Sequence, residues 1–453
     1  MRRIFFFVCI AAALTGCMVG PNYKRPDIPG PQQFRAGEPQ PGSESLGNVK
    51  WFDLFQDDTL RGLITESLQA NYDIRIAAQR VLQAEGQLAA TRSALFPHLD
   101  AQIGAGRDGV NSPIQSKAGA FGIASWEIDL FGKLRRATEA ARADLLSIKE
   151  NQKAVMQILV AEVASAYFDL REYDAELKLV QESIAARQES LKLVMAREQG
   201  GVSSLLEVDQ AKTLVASAQA NASQLENGRE KTENLINFLL GKQPGPVARG
   251  MSLESQPQPP QVPAGLPSAL LERRPDLMVA EQRLIAANAR VGVAKAAYYP
   301  SINLTASGGT QTTDLLGVIS QSGGAYAMSG IVDVPIFSAG RISGNYKTAK
   351  ARHEEVLIAY QKAINSAFHD VSDALVGYQK TKEYTSSVNL LAETLRHQST
   401  LANARYVGGI TGYLEVLDTE RQRLSAEQQL TQARRDVLIS LVQLYKALGG
   451  GWQ

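Results

Sequence analysis

Catalysis needs a nucleophile, an acid–base pair, a metal or a phosphate cradle, and each leaves a residue pattern. Gly104-Ala105-Gly106-Arg107-Asp108-Gly109 satisfies the Gly-x-Gly-x-x-Gly spacing of dinucleotide sites. That loop works only where it turns a strand into a helix whose N-terminus holds the pyrophosphate. Val110-Asn111-Ser112-Pro113 follows and cannot open such a helix, so the match is a coincidence and no cofactor is expected. His98, His353, His369 and His397 form no i, i+4 pair and have no cysteine beside them, so no metal site is expected either. Behind the leader segment there is no Gly-x-Ser-x-Gly elbow, P-loop or cysteine nucleophile. The chain is not expected to be an enzyme.

The one side chain placed for covalent chemistry is Cys17. Arg2 and Arg3 begin a leader, Ile4 to Leu14 form an apolar run, and Leu14-Thr15-Gly16-Cys17 reads as a lipobox, in which cleavage leaves Cys17 as a lipid-modified N-terminus. The run is shorter than the ~20 residues that cross a bilayer, so it is an export signal rather than an anchor helix. The competing reading is an ordinary signal peptide followed by a chance cysteine. Cys9 leaves with the leader, so no internal disulfide can form, and stability must come from packing area or from association. Lys plus Arg (47) nearly equals Asp plus Glu (46), which gives no argument for a nucleic-acid partner.

The elements that carry these residues are long. Of the 18 prolines, most lie between Pro21 and Pro41 or between Pro244 and Pro275, which read as extended linkers. From Lys133 to Gln199 there is neither proline nor glycine, and from Asn345 to Val407 Gly377 is the one breaker. A helix over the first stretch would be roughly 100 Å long, so an elongated protein is expected. Leu170, Leu177, Ile184 and Leu191 recur every seven residues, with Tyr173, Val180 and Val194 three positions after members of that series, a coiled-coil pattern. Gly200-Gly201-Val202-Ser203-Ser204 then turns the chain into a second helix that runs to about Leu240.

The plan occurs twice. Gln79-Arg80 and Pro97 match Gln282-Arg283 and Pro300 at an offset of 203 residues. Arg197, Gly200-Gly201, Leu206-Glu207-Val208 and Leu240-Gly241 match Arg405, Gly408-Gly409, Leu414-Glu415-Val416 and Leu448-Gly449 at an offset of 208. After each proline the side chains alternate, Leu99, Ala101, Ile103 and Ala105 in the first copy and Ile302, Leu304 and Ala306 in the second, which predicts strands. Return strands are expected near Phe121 to Phe131 and near Tyr326 to Ile336. Four strands with one apolar face suit a membrane barrel, yet four cannot close one. Every backbone polar group in a bilayer must be paired, so further copies have to complete the cylinder. The periodicity does not choose between two copies and three, and a soluble hairpin resting on the coiled coils is the other reading.

Several motifs together resemble the outer membrane factor (TolC-like) family, in its lipoprotein, NodT-type branch that serves resistance-nodulation-division efflux systems. They are Gly20-Pro21-Asn22-Tyr23-Lys24-Arg25-Pro26, Trp126-Glu127-Ile128-Asp129-Leu130-Phe131-Gly132, Arg274-Pro275-Asp276, Pro335-Ile336-Phe337 with Gly340-Arg341, Tyr413-Leu414-Glu415-Val416-Leu417-Asp418, and Leu448-Gly449-Gly450-Gly451-Trp452. The resemblance covers nearly the whole mature chain. It implies a mixed α and β fold, mainly long coiled-coil α-helices, assembled as a trimeric α-barrel with a shared 12-stranded transmembrane β-barrel. Met18 after the cysteine implies sorting to the outer membrane. The expected organisation is a signal peptide (1–16), a lipid anchor and extended N-terminal segment (17–70), a first repeat (71–243), a proline-rich linker (244–273), a second repeat (274–449) and a short tail (450–453).

The resemblance also implies roles. Leu414 and Asp418 match the positions where the family narrows its duct at the periplasmic end. Four residues apart, they share a helix face, so three copies would place an apolar ring and a carboxylate ring about one axis. The competing reading packs Leu414 in the coiled coil and pairs Asp418 with Arg421 or Gln422. The turns holding Gly200, Gly201 and Ser203 and Gly408, Gly409 and Thr411 are the expected docking surface for a periplasmic adaptor (membrane fusion protein), which would connect the homotrimer to an inner-membrane resistance-nodulation-division transporter. The expected function is a passive exit duct anchored to outer-membrane lipid. A structural coiled-coil envelope lipoprotein is the alternative, and a periplasmic hydrolase with unfamiliar residues is a more distant one.

Overall fold

The computed structural model describes residues 18–28, 46, 49–108, 115–256, 270–312 and 324–452. Cys17, and with it the expected lipidation, lies outside them. The helices are α1 (Trp51–Leu54), α2 (Asp58–Ala70), α3 (Tyr72–Ser93), α4 (Lys133–Gln199), α5 (Leu205–Leu239), α6 (Leu270–Arg273), α7 (Pro275–Ala296), α8 (Arg341–Val407) and α9 (Tyr413–Ala447); the strands are β1 (His98–Asp108), β2 (Gln115–Ile128), β3 (Ser301–Thr312) and β4 (Gly324–Asp333). Helices α4 and α8 have 67 residues each, and α5 and α9 have 35 each. None of the described helices is long and apolar enough to cross a membrane.

Helix α4 fills the stretch free of proline and glycine, whereas α8 begins four residues before the expected Asn345 and includes Gly344 as well as Gly377. An exposed helical glycine costs about 1 kcal/mol, which so long a helix absorbs. Its start is fixed by Ala339 and Gly340, both at positive φ, after which the Gly344 amide donates to the Gly340 carbonyl at 2.8 Å. Both return strands stop short of the sequence expectation. β2 ends at Ile128 because the Asp129 carboxylate turns to accept from the Leu134 and Arg135 amides at 3.1 and 2.9 Å, capping α4. β4 ends at Asp333, and Pro335, two residues on, has no N–H to extend a ladder. Gly104-Ala105-Gly106 lies inside β1 rather than at a strand-to-helix turn.

The chain packs into two units. The first comprises the described residues of 1–28, 79–150 and 277–363. It contains one antiparallel sheet in the order β1-β2-β3-β4, with His98 opposite Ser125, Ile128 opposite Ile302 and Ser301 opposite Asp333. The helix-linked ends of all four strands therefore lie at the same end of the sheet. Beside it, residues 18–28 form a strap. The fully buried Arg136 guanidinium donates to the Val19 and Gly20 carbonyls and, at 2.7 Å, to the Asn22 side chain, and it pairs with Glu139. Gly20 sits at φ +105 where a Cβ would come within 2.5 Å of the Gly292 Cα, so this crossing admits no side chain. Farther along, Arg25 forms a two-pronged pair with Glu281 at 2.7 and 2.6 Å, and Tyr23 donates to the same carboxylate. Burial, and then that carboxylate, push the Tyr23 phenol up.

The second unit comprises the described residues of 29–78, 151–276 and 364–453. Its apolar contacts include Leu177, Val180, Leu225 and Leu424 in one cluster and Val388, Ala392, Ala426 and Leu430 in another. Leu170, Leu177, Val180 and Val194 of the heptad series are buried. Asp57 is a knot: it is buried and accepts from the Thr59 and Met251 amides at 2.9 and 2.8 Å, from Tyr167 Oη at 2.7 Å and from Gln256 Nε2 at 3.0 Å. Burial alone would raise its pKa, and these donors hold it below the usual carboxylate value.

Candidate functional site

The two helical hairpins of the second unit end in turns of the same construction. In the first, the Gly200 amide donates to the Ala196 carbonyl, Gly201 takes φ +73, and the Val202 and Ser203 amides return to the Arg197 carbonyl at 2.8 and 3.2 Å. In the second, Gly408 donates to Ala404, Gly409 takes φ +72, and Ile410 returns to the Arg405 carbonyl at 2.9 Å. A side chain at either left-handed position would be strained, which is why glycine stands at both. Val202, Leu205 and Leu206 are exposed at one tip, and Val407, Ile410 and Leu414 at the other.

The caps that follow differ. Ser204 accepts from the Glu207 amide through its hydroxyl at 3.3 Å and so caps α5. Gly412 precedes α9 and has no side chain with which to cap it. In its place Thr411 Oγ1 donates to the Glu415 carboxylate, which also faces the Arg405 guanidinium at 3.5 Å. Under the tips, Val194, Val208, Ala211, Tyr406, Tyr413 and Val416 form a common apolar cluster. The Arg197 guanidinium lies 4.7 Å from the centre of the Tyr406 ring, and the Tyr413 hydroxyl is 3.1 Å from that of Ser190.

Of the two residues expected at the constriction, Leu414 is 69% exposed and so is not packed in the coiled coil of its own chain. Asp418 accepts from Arg421 at 3.0 Å and from Gln422 Nε2. Within a single chain, then, the carboxylate has the two partners one helical turn away that the competing reading assigned to it.

Sequence reading missed Glu415 and a charged network farther along the same hairpin. Glu420 and Glu427 of α9 hold Arg423 between them at 2.9 and 2.8 Å, Glu427 also accepts from Arg396 of α8 at 2.9 Å, and Ser399 of α8 donates to Glu420. Burial alone would raise the Glu420 carboxyl, and hydrogen bonds from Arg423 and Ser399 bring it below the usual value. Arg187 of α4 is buried and donates to the Leu214 carbonyl at 2.9 Å; burial lowers its pKa, and Glu420 opposes the shift. The three- and four-residue spacings on α9 were visible signals. The partners on α4 and α8 were not, because they meet through tertiary structure. Among the described residues no three His, Cys, Asp or Glu side chains group to hold a metal.

Residues 63–242 and 266–450 match the family described as outer membrane efflux protein. The chain is 33% identical to the cation efflux system protein CusC of Escherichia coli strain K12, over 98% of each chain. It is 34% identical to the toluene efflux pump outer membrane protein TtgI of Pseudomonas putida, over 97% of this chain and 96% of that one. Among solved structures, the open state of the Neisseria gonorrhoeae MtrE outer membrane channel superposes with a TM-score of 0.88 at 31% identity, covering 96% of this chain and 99% of that chain. A crystal structure of CusC superposes with a TM-score of 0.87 at 32% identity, covering 96% and 100%.

Proposed function

The chain belongs to the outer membrane efflux protein family, and from that premise we propose that it is the passive outer-membrane exit duct of a tripartite efflux pump. Three copies pool their four-stranded sheets into one twelve-stranded barrel and their long helices into one hollow α-barrel in the periplasm. The observation that carries this reading is the sheet itself. Strands β1 and β4 are open edges, and Leu99, Ile103, Tyr326 and Met328 on them are largely exposed. Unpaired strand edges are costly in hydrocarbon, and pairing between copies satisfies them while leaving a lumen. Detergent-extracted protein is expected to have the mass of a trimer and to conduct in planar bilayers. A soluble, single-copy protein without conductance would overturn the reading.

Cys17 carries the acyl anchor, and the strap at 18–28 leads from it to the first unit. Leu414 and Asp418 narrow the periplasmic end, with one apolar ring and one ring of carboxylates about the trimer axis. Carboxylates brought together repel one another, so the Arg421 and Gln422 donors to Asp418 support closure by offsetting that repulsion. Asp418→Ala trimers are expected to show a higher basal conductance, and an unchanged closed state would remove Asp418 from the gate. The exposed apolar side chains beside Gly200, Gly201 and Ser203 and beside Gly408, Gly409 and Thr411 support docking of a periplasmic adaptor, which in turn meets an inner-membrane resistance-nodulation-division transporter. Crosslinking from Ser203→Cys or Thr411→Cys to that adaptor tests the surface. The driving energy and the choice of cargo reside in the pump, and this chain performs no catalytic step.

A further inference from the structure

The four places where a helix meets a strand share a composition that a passive duct does not require. Arg92 and Phe96 precede β1, Phe131, Lys133 and Arg135 follow β2, Lys295, Tyr298 and Tyr299 precede β3, and Phe337 and Arg341 follow β4. Each junction thus pairs an aromatic with a cation inside about a turn and a half. The aromatics are placed together: Phe131 stacks on Tyr299 at 4.7 Å, and Tyr298 meets Tyr346 of α8 edge-on at 5.9 Å. Ile336 and Phe337 are 94% and 88% exposed. Aromatic and aliphatic side chains at this level mark the edge of the hydrocarbon, where a barrel carries its girdle.

The cations beside them are not all consumed within the chain. Lys133 pairs with Glu127 and Arg135 with Asp129, so those two are balanced. On α8 the stretch 341–353 contains Arg341, Lys347, Lys350 and Arg352 and no carboxylate. Arg352 pairs with Glu355 in the next turn, and Lys350 lies 5.3 Å from the centre of the Tyr346 ring. Arg341 and Lys347 are exposed, and among the described residues neither forms an ion pair. Asp333 borders the same hollow of about 420 Å³ as Arg341 without pairing with it. A positive side chain in the first turn of a helix is electrostatically unfavourable, so Arg341 at the start of α8 favours a bound anion. Lys347 and Lys350 lie about 9 and about 14 Å along the helix from Arg341, beyond the roughly 5–8 Å polar layer on one side of a bilayer. Helical side chains, however, tilt toward the N-terminus, here the sheet end, and a lysine is long enough to reach back.

We propose that Arg341, Lys347 and Lys350, set beneath the aromatic girdle, bind the phosphate headgroups of anionic phospholipid in the periplasm-facing leaflet and so fix the depth of the barrel. This rests on the barrel reading above, since only a sheet in the bilayer brings these turns to its surface. Charge complementarity and continuity with the lipid-facing sheet commit the surface to phospholipid.

Trimers reconstituted in phosphatidylcholine vesicles and probed with spin-labelled phosphatidylglycerol or phosphatidylcholine would test it. The motionally restricted fraction is expected to favour phosphatidylglycerol by about threefold at low salt. The preference should vanish in R341Q/K347Q/K350Q and at about 1 M salt, and it should survive in the charge-matched control K178Q/K231Q/K382Q. Equal restriction of the two lipids by the parent protein, a preference retained by R341Q/K347Q/K350Q, or equal loss in both variants would overturn the proposal. Conductance of the same vesicles separates the two ideas. Conducting trimers without lipid preference refute the headgroup site alone, whereas protein that neither inserts nor conducts refutes the duct.

Discussion

The two helical hairpins of the second unit have the same backbone plan and an apolar seam each, and they differ in the polar ties that brace the seam. Across α8 and α9 polar and charged ties, Arg396 to Glu427, Ser399 to Glu420 and Arg405 to Glu415, run beside the apolar cluster of Val388, Ala392, Ala426 and Leu430. Across α4 and α5 the contact is apolar, through residues such as Val180 and Leu225, with the Arg187 guanidinium donating to the Leu214 carbonyl. Removing one member of a buried charge pair leaves its partner under-compensated, whereas an apolar seam loses only the area of the side chain removed, so the two hairpins should answer differently to single substitutions. The duplicated fold has thus set charge pairs across the seam of the hairpin that carries Leu414 and Asp418.

The comparison is broken most severely at Glu427. This carboxylate is 5% exposed and serves two arginines, so Glu427→Ala leaves Arg423 with Glu420 alone and removes the tie to Arg396. Leaving a buried charge wholly unpaired costs about 3 kcal/mol and Glu420 offsets part of that, so a loss of about 2 kcal/mol is expected in thermal melts of detergent trimers. Arg187→Met, which replaces a buried cation of the other hairpin by an apolar chain, should cost much less. Equal losses would end the distinction between a seam braced by charge pairs and one that is not.

A second test uses pH, because carboxylates of opposite character lie along α9 and its neighbours. Glu172 of α4 shares the Arg435 guanidinium of α9 with Asp169, and burial raises its carboxyl to about 7, with Arg435 opposing. The folded chain then holds that proton more tightly than the unfolded chain, so stability falls as pH rises from about 4.5 to about 7. Glu172→Gln should therefore stabilise the protein at pH 8, by on the order of 2 kcal/mol, and change little at pH 4. Glu420 has the reverse sign. Its folded value is depressed, so its contribution is present at neutral pH and is lost as pH falls through that value; Glu420→Gln should destabilise at pH 8. Melts of both variants at the two pH values check the pair of signs, and a common direction would refute the assignment.

These ties mark the limit of what the sequence discloses. Helix α4 was legible to the residue because a run without proline or glycine has few alternatives to helix, and the glycine turns were legible because positive φ selects glycine. Strand ends were less so. The alternation continued through Leu130, but Asp129 was worth more as a helix cap than as a ladder residue. Arg136 illustrates what no local pattern carries. It stands among the other cations of a helix start, yet it is buried under the strap by carbonyls more than a hundred residues away. Likewise, Leu414 and Asp418 were singled out by motif, whereas Arg187 and Glu420 are 233 positions apart and meet only through the fold.

The smallest expected effect bears most directly on the tips. Ser204 caps α5 with its hydroxyl, and Gly412 at the matching position leaves α9 to the Thr411–Glu415 contact. Loss of a serine cap costs about 1 kcal/mol when alanine replaces it and a few tenths when glycine does. Ser204→Gly should therefore lower stability by a few tenths, and Gly412→Ser should raise it by as much. The Gly412 backbone is already extended, at φ −78 and ψ 161, and a Cβ there meets nothing within 4 Å, so no strain offsets the gain. The functional consequence should exceed the thermodynamic one. If the missing cap lets the start of α9 unwind as the duct opens, Gly412→Ser trimers will conduct less often while Ser204→Gly trimers conduct as the parent does. Single-channel open probability measures this difference, and identical values for the two variants would mean that the uncapped helix plays no part in opening.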